Sequence, residues 1–171
     1  GAGAFTLSGN SIILAGNIVN NSANAQTVNL GVSYNTTPRT LNGNTAPLII
    51  GGGVTNAANL TTLTLSGSGT LTNLLASTDP NSMTNVLSTT SNANWTIMDN
   101  ALASAVTIPW NFQIAAGTLN FGSGASAPTL TSTTVRGVPG DSSLGQTVGT
   151  SATLNINNGI LTLSSRLNTG T

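Results

Sequence analysis

The stretch Phe5-Thr-Leu-Ser-Gly-Asn-Ser-Ile-Ile-Leu-Ala-Gly-Asn-Ile-Val-Asn-Asn-Ser-Ala-Asn-Ala-Gln-Thr-Val-Asn-Leu30 decides how this chain folds. Its apolar runs are short, Phe5 to Leu7, Ile12 to Leu14 and the beginning of Val28 to Tyr34, and Gly or Asn closes each of them. Runs of that length between turn-forming residues read as strands rather than helices. The same grammar continues outward through Leu48 to Ile50, Leu60 to Leu65, Trp95 to Met98, Val106 to Ile114, Leu119 to Phe121, Thr153 to Ile156 and Ile160 to Leu163. Ten or more short strands are therefore expected. Helix signals are nearly absent, because there is no Glu or Lys to pair at helical spacing and β-branched residues dominate. At most one helical turn is expected, around Asn100 to Ser104.

Charge is the second decisive feature. Only Arg39, Arg136, Arg166, Asp79, Asp99 and Asp141 are charged among 171 residues, 4% of the chain. An ordinary soluble domain carries about 25%. Disorder is the first consequence to test, since polar low-complexity chains often bury too little surface to fold. The hydrophobic fraction of 38% argues against it. The polar mass is 23 Asn, 29 Thr and 19 Ser, side chains that hydrogen-bond to one another and to turns. Three Arg without Lys make no basic patch, so nucleic acid is not an expected partner. No apolar run approaches the roughly 18 residues of a membrane span, and no basic amphipathic helix is present. With no Cys, stability has to come from burial and backbone pairing. The whole of 1–171 reads as a single segment. Beginning at Gly1-Ala2-Gly3, it is expected to be a processed form or a piece of a longer protein.

An internal repeat suggests how the strands are arranged. Leu7-Ser8-Gly9-Asn10 is echoed by Leu41-Asn42-Gly43-Asn44, Ile12-Ile13-Leu14 by Leu48-Ile49-Ile50, and Val28-Asn29-Leu30 by Leu63-Thr64-Leu65, at offsets of 34 to 36. A drifting offset near 35 suits a solenoid unit of one or two coils with small insertions. Stacked coils place equivalent side chains in ladders about 4.8 Å apart. Like charges would repel at every step, whereas Asn, Thr and Ser ladders hydrogen-bond and aliphatic ladders fill the interior. A β-sandwich accommodates the same strands and turns but explains neither the repeat nor the missing charge. The expected fold is thus all-β and solenoidal, with a pilin-like sandwich subunit as the alternative.

The stretch Phe5 to Leu30 also resembles the autotransporter-associated β-strand repeat of bacterial secreted and passenger proteins. Leu63-Thr-Leu-Ser-Gly-Ser-Gly-Thr-Leu71, Asn94-Trp95-Thr96 and Gly117-Thr-Leu-Asn-Phe-Gly122 are similar to it in style. The resemblance implies a right-handed parallel β-helix, export to the cell surface, and a role in adhesion or extracellular fibres. It brings no catalytic residues, and nothing in this chain looks like a translocator barrel.

Chemistry finds little to build on. A nucleophile needs a base beside it, and there is no His, Cys or Lys. Asp79, Asp99 and Asp141 invite comparison with the carboxylate pairs that cleave glycosides, but Asp79 precedes Pro80 and Asp141 follows Gly140, ordinary turn positions. The three carboxylates have no calcium-loop spacing. Gly51-Gly52-Gly53 has no Lys after it and reads as a corner between coils, not a phosphate loop. Trp95, Trp110 and Tyr34 read as core or corner fillers before sugar-stacking residues. Asn20, Asn35, Asn59 and Asn94 each open an Asn-X-Ser/Thr pattern, which chance supplies readily in this composition. Thr62-Leu63-Thr64, Thr70-Leu71-Thr72 and Thr129-Leu130-Thr131 are too irregularly spaced for one flat ice-binding face. No catalytic, cofactor or metal residue is assigned, and the chain is not expected to be an enzyme.

The expected role is mechanical: an extracellular or cell-surface β-helical segment that projects, adheres or builds fibres. Its expected partners are copies of itself, end to end or along edge strands, with surface glycans as a further partner and no membrane insertion. The runner-up is a filament subunit that donates the alternating strand Ala152 to Leu163 to a neighbour. A polysaccharide-active β-helix enzyme built on the three Asp residues is the third.

Overall fold

The computed structural model describes residues 3–56, 61–72, 85–98, 106–108, 110–122, 129–132, 142–144, 151–157, 160–163 and 167–169. Among them are eighteen strands and no helix. They arrive in chain order as successive coils. The first holds β1 (Thr6–Ser8), β2 (Ile12–Ile13) and β3 (Ile18–Asn20). The second holds β4 (Gln26–Asn29), β5 (Val32–Tyr34) and the opening of the long β6 (Arg39–Ile50). The end of β6 begins the third coil, followed by β7 (Val54–Asn56) and the start of β8 (Thr62–Leu71). Then come β9 (Asn85–Thr89), β10 (Asn94–Ile97), β11 (Val106–Ile108), β12 (Trp110–Ile114), β13 (Gly117–Phe121), β14 (Thr129–Ser132), β15 (Ser142–Leu144), β16 (Ala152–Ile156), β17 (Ile160–Leu163) and β18 (Leu167–Thr169).

Every strand pair in the ladders is parallel, and each strand pairs with its counterpart in the coil before and after. On one face β1, β4, the end of β6, the end of β8, β10, β13 and β16 stack in that order. On another, β3, the start of β6, the start of β8, β9, β12, β15 and β18 do the same. The remaining face carries β2, β5 and β7, and further along β11, β14 and β17. The chain is a right-handed parallel β-helix. The sandwich alternative falls with this topology, because its sheets and the donated strand would require antiparallel neighbours.

Alternation explains why these residues take these positions. Along β8 every second residue is buried, Leu63, Leu65, Gly67, Gly69 and Leu71, and the Thr and Ser between them face outward. That period of two is the signature of a strand with one wet face. Across coils the inward positions align as a column, Leu7, Val28, Ile50, Leu71, Ile97, Phe121 and Ile156. A second column runs Gln26, Leu48, Gly69, Trp95, Leu119 and Leu154. On the next face Ile18, Leu41 and Leu65 continue the core, and on the third Val32 and Val54 close it.

Corners are where glycine is required. Gly67 holds a φ of 61° where β8 turns from one face to the next, with the carbonyl of Gly43 against it. Gly51, Gly52 and Gly53 form the corner expected of them. Gly53 takes a φ of 88°, and the Leu30 main chain lies where a Cβ of Gly52 would stand.

The coil is shorter than the spacing of 35. It measures 21 residues from Thr6 to Thr27, 24 from Asn94 to Thr118, and reaches 35 only from Gly117 to Ala152. The matched segments do not stack on one another: Leu7 pairs with Val28, and Leu41 pairs with Leu65. Every face carries the same apolar alternation, so an offset of one coil plus part of the next matched one face to a different one. Strand boundaries also differ from expectation. Val28 to Tyr34 breaks at Leu30-Gly31, the run expected from Leu60 starts at Thr62 and continues to Leu71, and β3, β7 and β9 lie in segments too polar to announce themselves. The helical turn expected around Asn100 to Ser104 lies outside the described residues.

Candidate functional site

The column of inward residues on the first face defines the distinctive surface of the molecule. Its middle members Val28, Ile50, Leu71, Ile97 and Phe121 are buried. Its terminal members are not: Leu7 is 47% exposed and Ile156 55%. The same residue type in the same column changes environment because burial here comes from the coil above and the coil below.

At the first coil the exposed residues gather. Phe5, Leu7, Ile13 and Val19 are exposed and Ile12 borders on it. Beside them opens a cavity of about 230 Å³ lined by Phe5, Ile18, Val19, Val28 and Leu48 with the polar corner residues Asn20, Asn21, Ser22 and Gln26. Two buried amides hold that corner. Asn20 Nδ2 donates to the carbonyls of Asn24, Ala46 and Pro47, each at 3.0 Å, while its Oδ1 accepts from the Ser22 amide at 3.0 Å. Ala46 and Pro47 belong to the bulge between Gly43 and Leu48, where β6 takes more residues to round the corner than β8 does. Asn20 thus satisfies carbonyls that the ladder leaves over. Gln26 stands in the inward column that Leu48 continues. Its Oε1 accepts from the Phe5 amide at 2.9 Å, and its Nε2 donates to Ser22 Oγ at 2.7 Å and to the Gly3 and Asn24 carbonyls at 3.2 Å.

The outer coat carries polar ladders. Asn155 Nδ2 donates to Asn120 Oδ1 at 2.9 Å along one column, and Asn120 Nδ2 reaches diagonally to Asn94 Oδ1 at 3.1 Å, two residues before its in-register neighbour Thr96, and to the Trp95 carbonyl at 3.2 Å. Asn44 Nδ2 donates to Asn21 Oδ1 at 3.0 Å at an earlier corner. Thr6, Thr27, Ile49, Thr70 and Thr96 precede Asn120 and Asn155 in the same outward column. Arg39 is the one charged side chain among the described residues. Its Nε donates to the Leu14 carbonyl at 3.0 Å and its Nη1 to that of Pro38 at 3.2 Å.

Asp79, Asp99 and Asp141 lie outside the described residues, as does Asn59. Trp95 and Tyr34 are fully buried and act as core, and Trp110 begins β12. Burial pushes the Tyr34 phenol well above its ordinary pKa. Asn20 is buried with its amide engaged, Asn35 is exposed, and Asn94 is exposed in the Asn ladder. The three Thr-X-Thr segments fall on three different faces, in β8 beside β9, at the end of β8 beside β10, and in β14. They make no common surface. Among the described residues no group of three or more His, Cys, Asp or Glu stands together, and no helix is long and apolar enough to cross a membrane. Sequence reasoning missed the amide plugs Asn20 and Gln26, whose only signal was an Asn-Asn and a Gln at the edges of apolar runs.

Comparison with protein-family models, with curated proteins and with solved structures finds no match to this chain in any of the three. Among the described residues, fold and surface together define a parallel β-helix with a charge-poor coat and apolar side chains exposed at Phe5, Leu7, Ile13, Val19 and Ile156.

Proposed function

We propose that this chain is an extracellular structural segment, a β-helical spacer that projects from a bacterial cell surface or builds fibres by pairing with copies of itself. The observation that carries the reading is the first-face column, buried from Val28 to Phe121 and exposed at Leu7 and Ile156. An unpaired strand with apolar neighbours is a template for another strand, and a further coil, of a second copy or of a longer chain, would bury both residues. Export to the surface rests on the resemblance of Phe5 to Leu30 to autotransporter-associated repeats. The outward Asn and Thr ladders support contact with neutral surfaces such as glycans, since they offer hydrogen bonds without charge.

Electron microscopy of the purified chain tests the self-assembly. Rods several times longer than one molecule, uniform in cross-section, are expected. Discrete single particles at high protein concentration would overturn it.

A further inference from the structure

We propose that the outer coat of this β-helix is built without charge so that fold and surface stay the same across a wide range of pH and ionic strength. The inference rests on side chains along the flanks of the coils, which a further coil at either end would leave as they are. It is independent of the self-association proposed above.

Neutral side chains stand in register along the flanks. On the first face the outward column is Thr6, Thr27, Ile49, Thr70, Thr96, Asn120 and Asn155. On the second it runs Thr40, Thr64, Ser88 and Gln113. Stacked members lie about 4.8 Å apart, a distance at which like charges would repel at every step. Amides and hydroxyls bond across the same gap instead. Asn155 Nδ2 donates to Asn120 Oδ1 at 2.9 Å, Asn44 Nδ2 to Asn21 Oδ1 at 3.0 Å, and Ser66 Oγ to Asn92 Oδ1 at 3.2 Å. None of these groups titrates in water.

The charges that do occur leave little for protons or salt to act on. Arg39 binds the neutral carbonyls of Leu14 and Pro38 rather than a carboxylate among the described residues. The sequence has no Glu, His, Cys or Lys. Its three Asp ordinarily ionise near about pH 4 and its one Tyr near about pH 10, and Arg stays charged throughout. Burial moves Tyr34 further upward. From about pH 5 to about pH 9 no side chain then changes its charge, so proton binding adds no slope to stability in that interval.

Thermal melting tests the proposal. The midpoint of the unaltered chain should move by less than about 1 °C between about pH 5 and about pH 9, and between about 0.01 and about 0.5 M NaCl. Thr70→Asp with Thr96→Asp places two carboxylates in register, where the neighbours Ile49, Ser68, Thr72, Asn94, Met98 and Asn120 are uncharged. Thr70→Asn with Thr96→Asn supplies the same shape without charge. In dilute buffer at neutral pH the Asp pair is expected to melt about 3 °C or more below the Asn pair. Repulsion raises the folded-state pKa of such a pair, so the deficit should vanish below the ordinary carboxylate value and grow as pH rises through it. Added salt should reduce it. Each single Asp variant has no like-charged neighbour in the column and should lack that salt dependence. The unaltered chain carries the test by itself if the Asp pair does not fold. A shift of about 3 °C or more in the unaltered chain, or an Asp pair that melts with the Asn pair at every salt concentration, would overturn the proposal.

Discussion

The ring nitrogen of Trp95 donates to the carbonyl oxygen of Ser66 at 2.9 Å, and the far edge of the same indole fills the place where a Cβ of Gly69 would stand. Gly69 and Trp95 pair in adjacent coils, so the smallest residue of the column makes room for the largest. Here glycine serves by absence of volume. Gly69→Ala would bring a methyl within 2.6 Å of Trp95 Cη2 and against the Leu48 carbonyl. A loss of about 1–3 kcal/mol is expected, as for other overpacked cores, read by urea denaturation. Adding Trp95→Leu should return part of it; strictly additive losses would mean that the two residues do not compete for space.

Position along the axis should set the cost of truncating the first-face column. Phe121 is buried between Ile97 and Ile156, and Phe121→Ala is expected to cost about 3–5 kcal/mol. Leu7→Ala, at the exposed end, should cost no more than about 0.5 kcal/mol at protein concentrations where the chain is monomeric. Equal losses in denaturant midpoint would contradict the burial pattern.

Asn20 holds three main-chain carbonyls with one amide group. Asn20→Ala leaves those acceptors unmatched in a buried corner, at about 1–3 kcal/mol. Since each coil contacts chiefly its neighbours, faster amide exchange is expected in β3, β4 and β6 and no change in β10 or β13. Acceleration spread evenly over all strands would show that the corner is not a local device.

Tyr34 is the only tyrosine, and the chain has neither Lys nor Cys. Its phenol is neutral and buried, with its pKa raised from 10.0 by loss of solvation. A raised folded pKa means stability that is complete below the unfolded value and declines as pH rises above it. Thermal midpoints are therefore expected to fall once pH exceeds about 10. Tyr34→Phe should flatten that alkaline limb; an unaltered limb in the variant would place its cause elsewhere.

Much of the fold is legible residue by residue. The alternation in Thr62 to Leu65, the corner at Gly51 to Gly53 and the core roles of Trp95 and Tyr34 all follow from local chemistry. The strand β3 is not legible in that way, because Ile18-Val19-Asn20 is too short and its Asn too polar without the bulge that Asn20 fills. The coil length was hidden by the likeness of the faces: residues 35 apart matched in character and yet stacked on other partners.

The feature that bears on function depends on neighbours that no local stretch contains. By itself the sequence determined that the chain is all-β, poor in charge, and built of strands with one apolar side, because strand alternation and turn chemistry act within a few residues. Only the tertiary structure decided that Leu7 to Ile156 share one column and that Val28 to Phe121 are covered within it. In a solenoid a side chain is buried by residues 20 to 35 positions away in the next coil, and that distance is set by loops and corners, not by the strand itself.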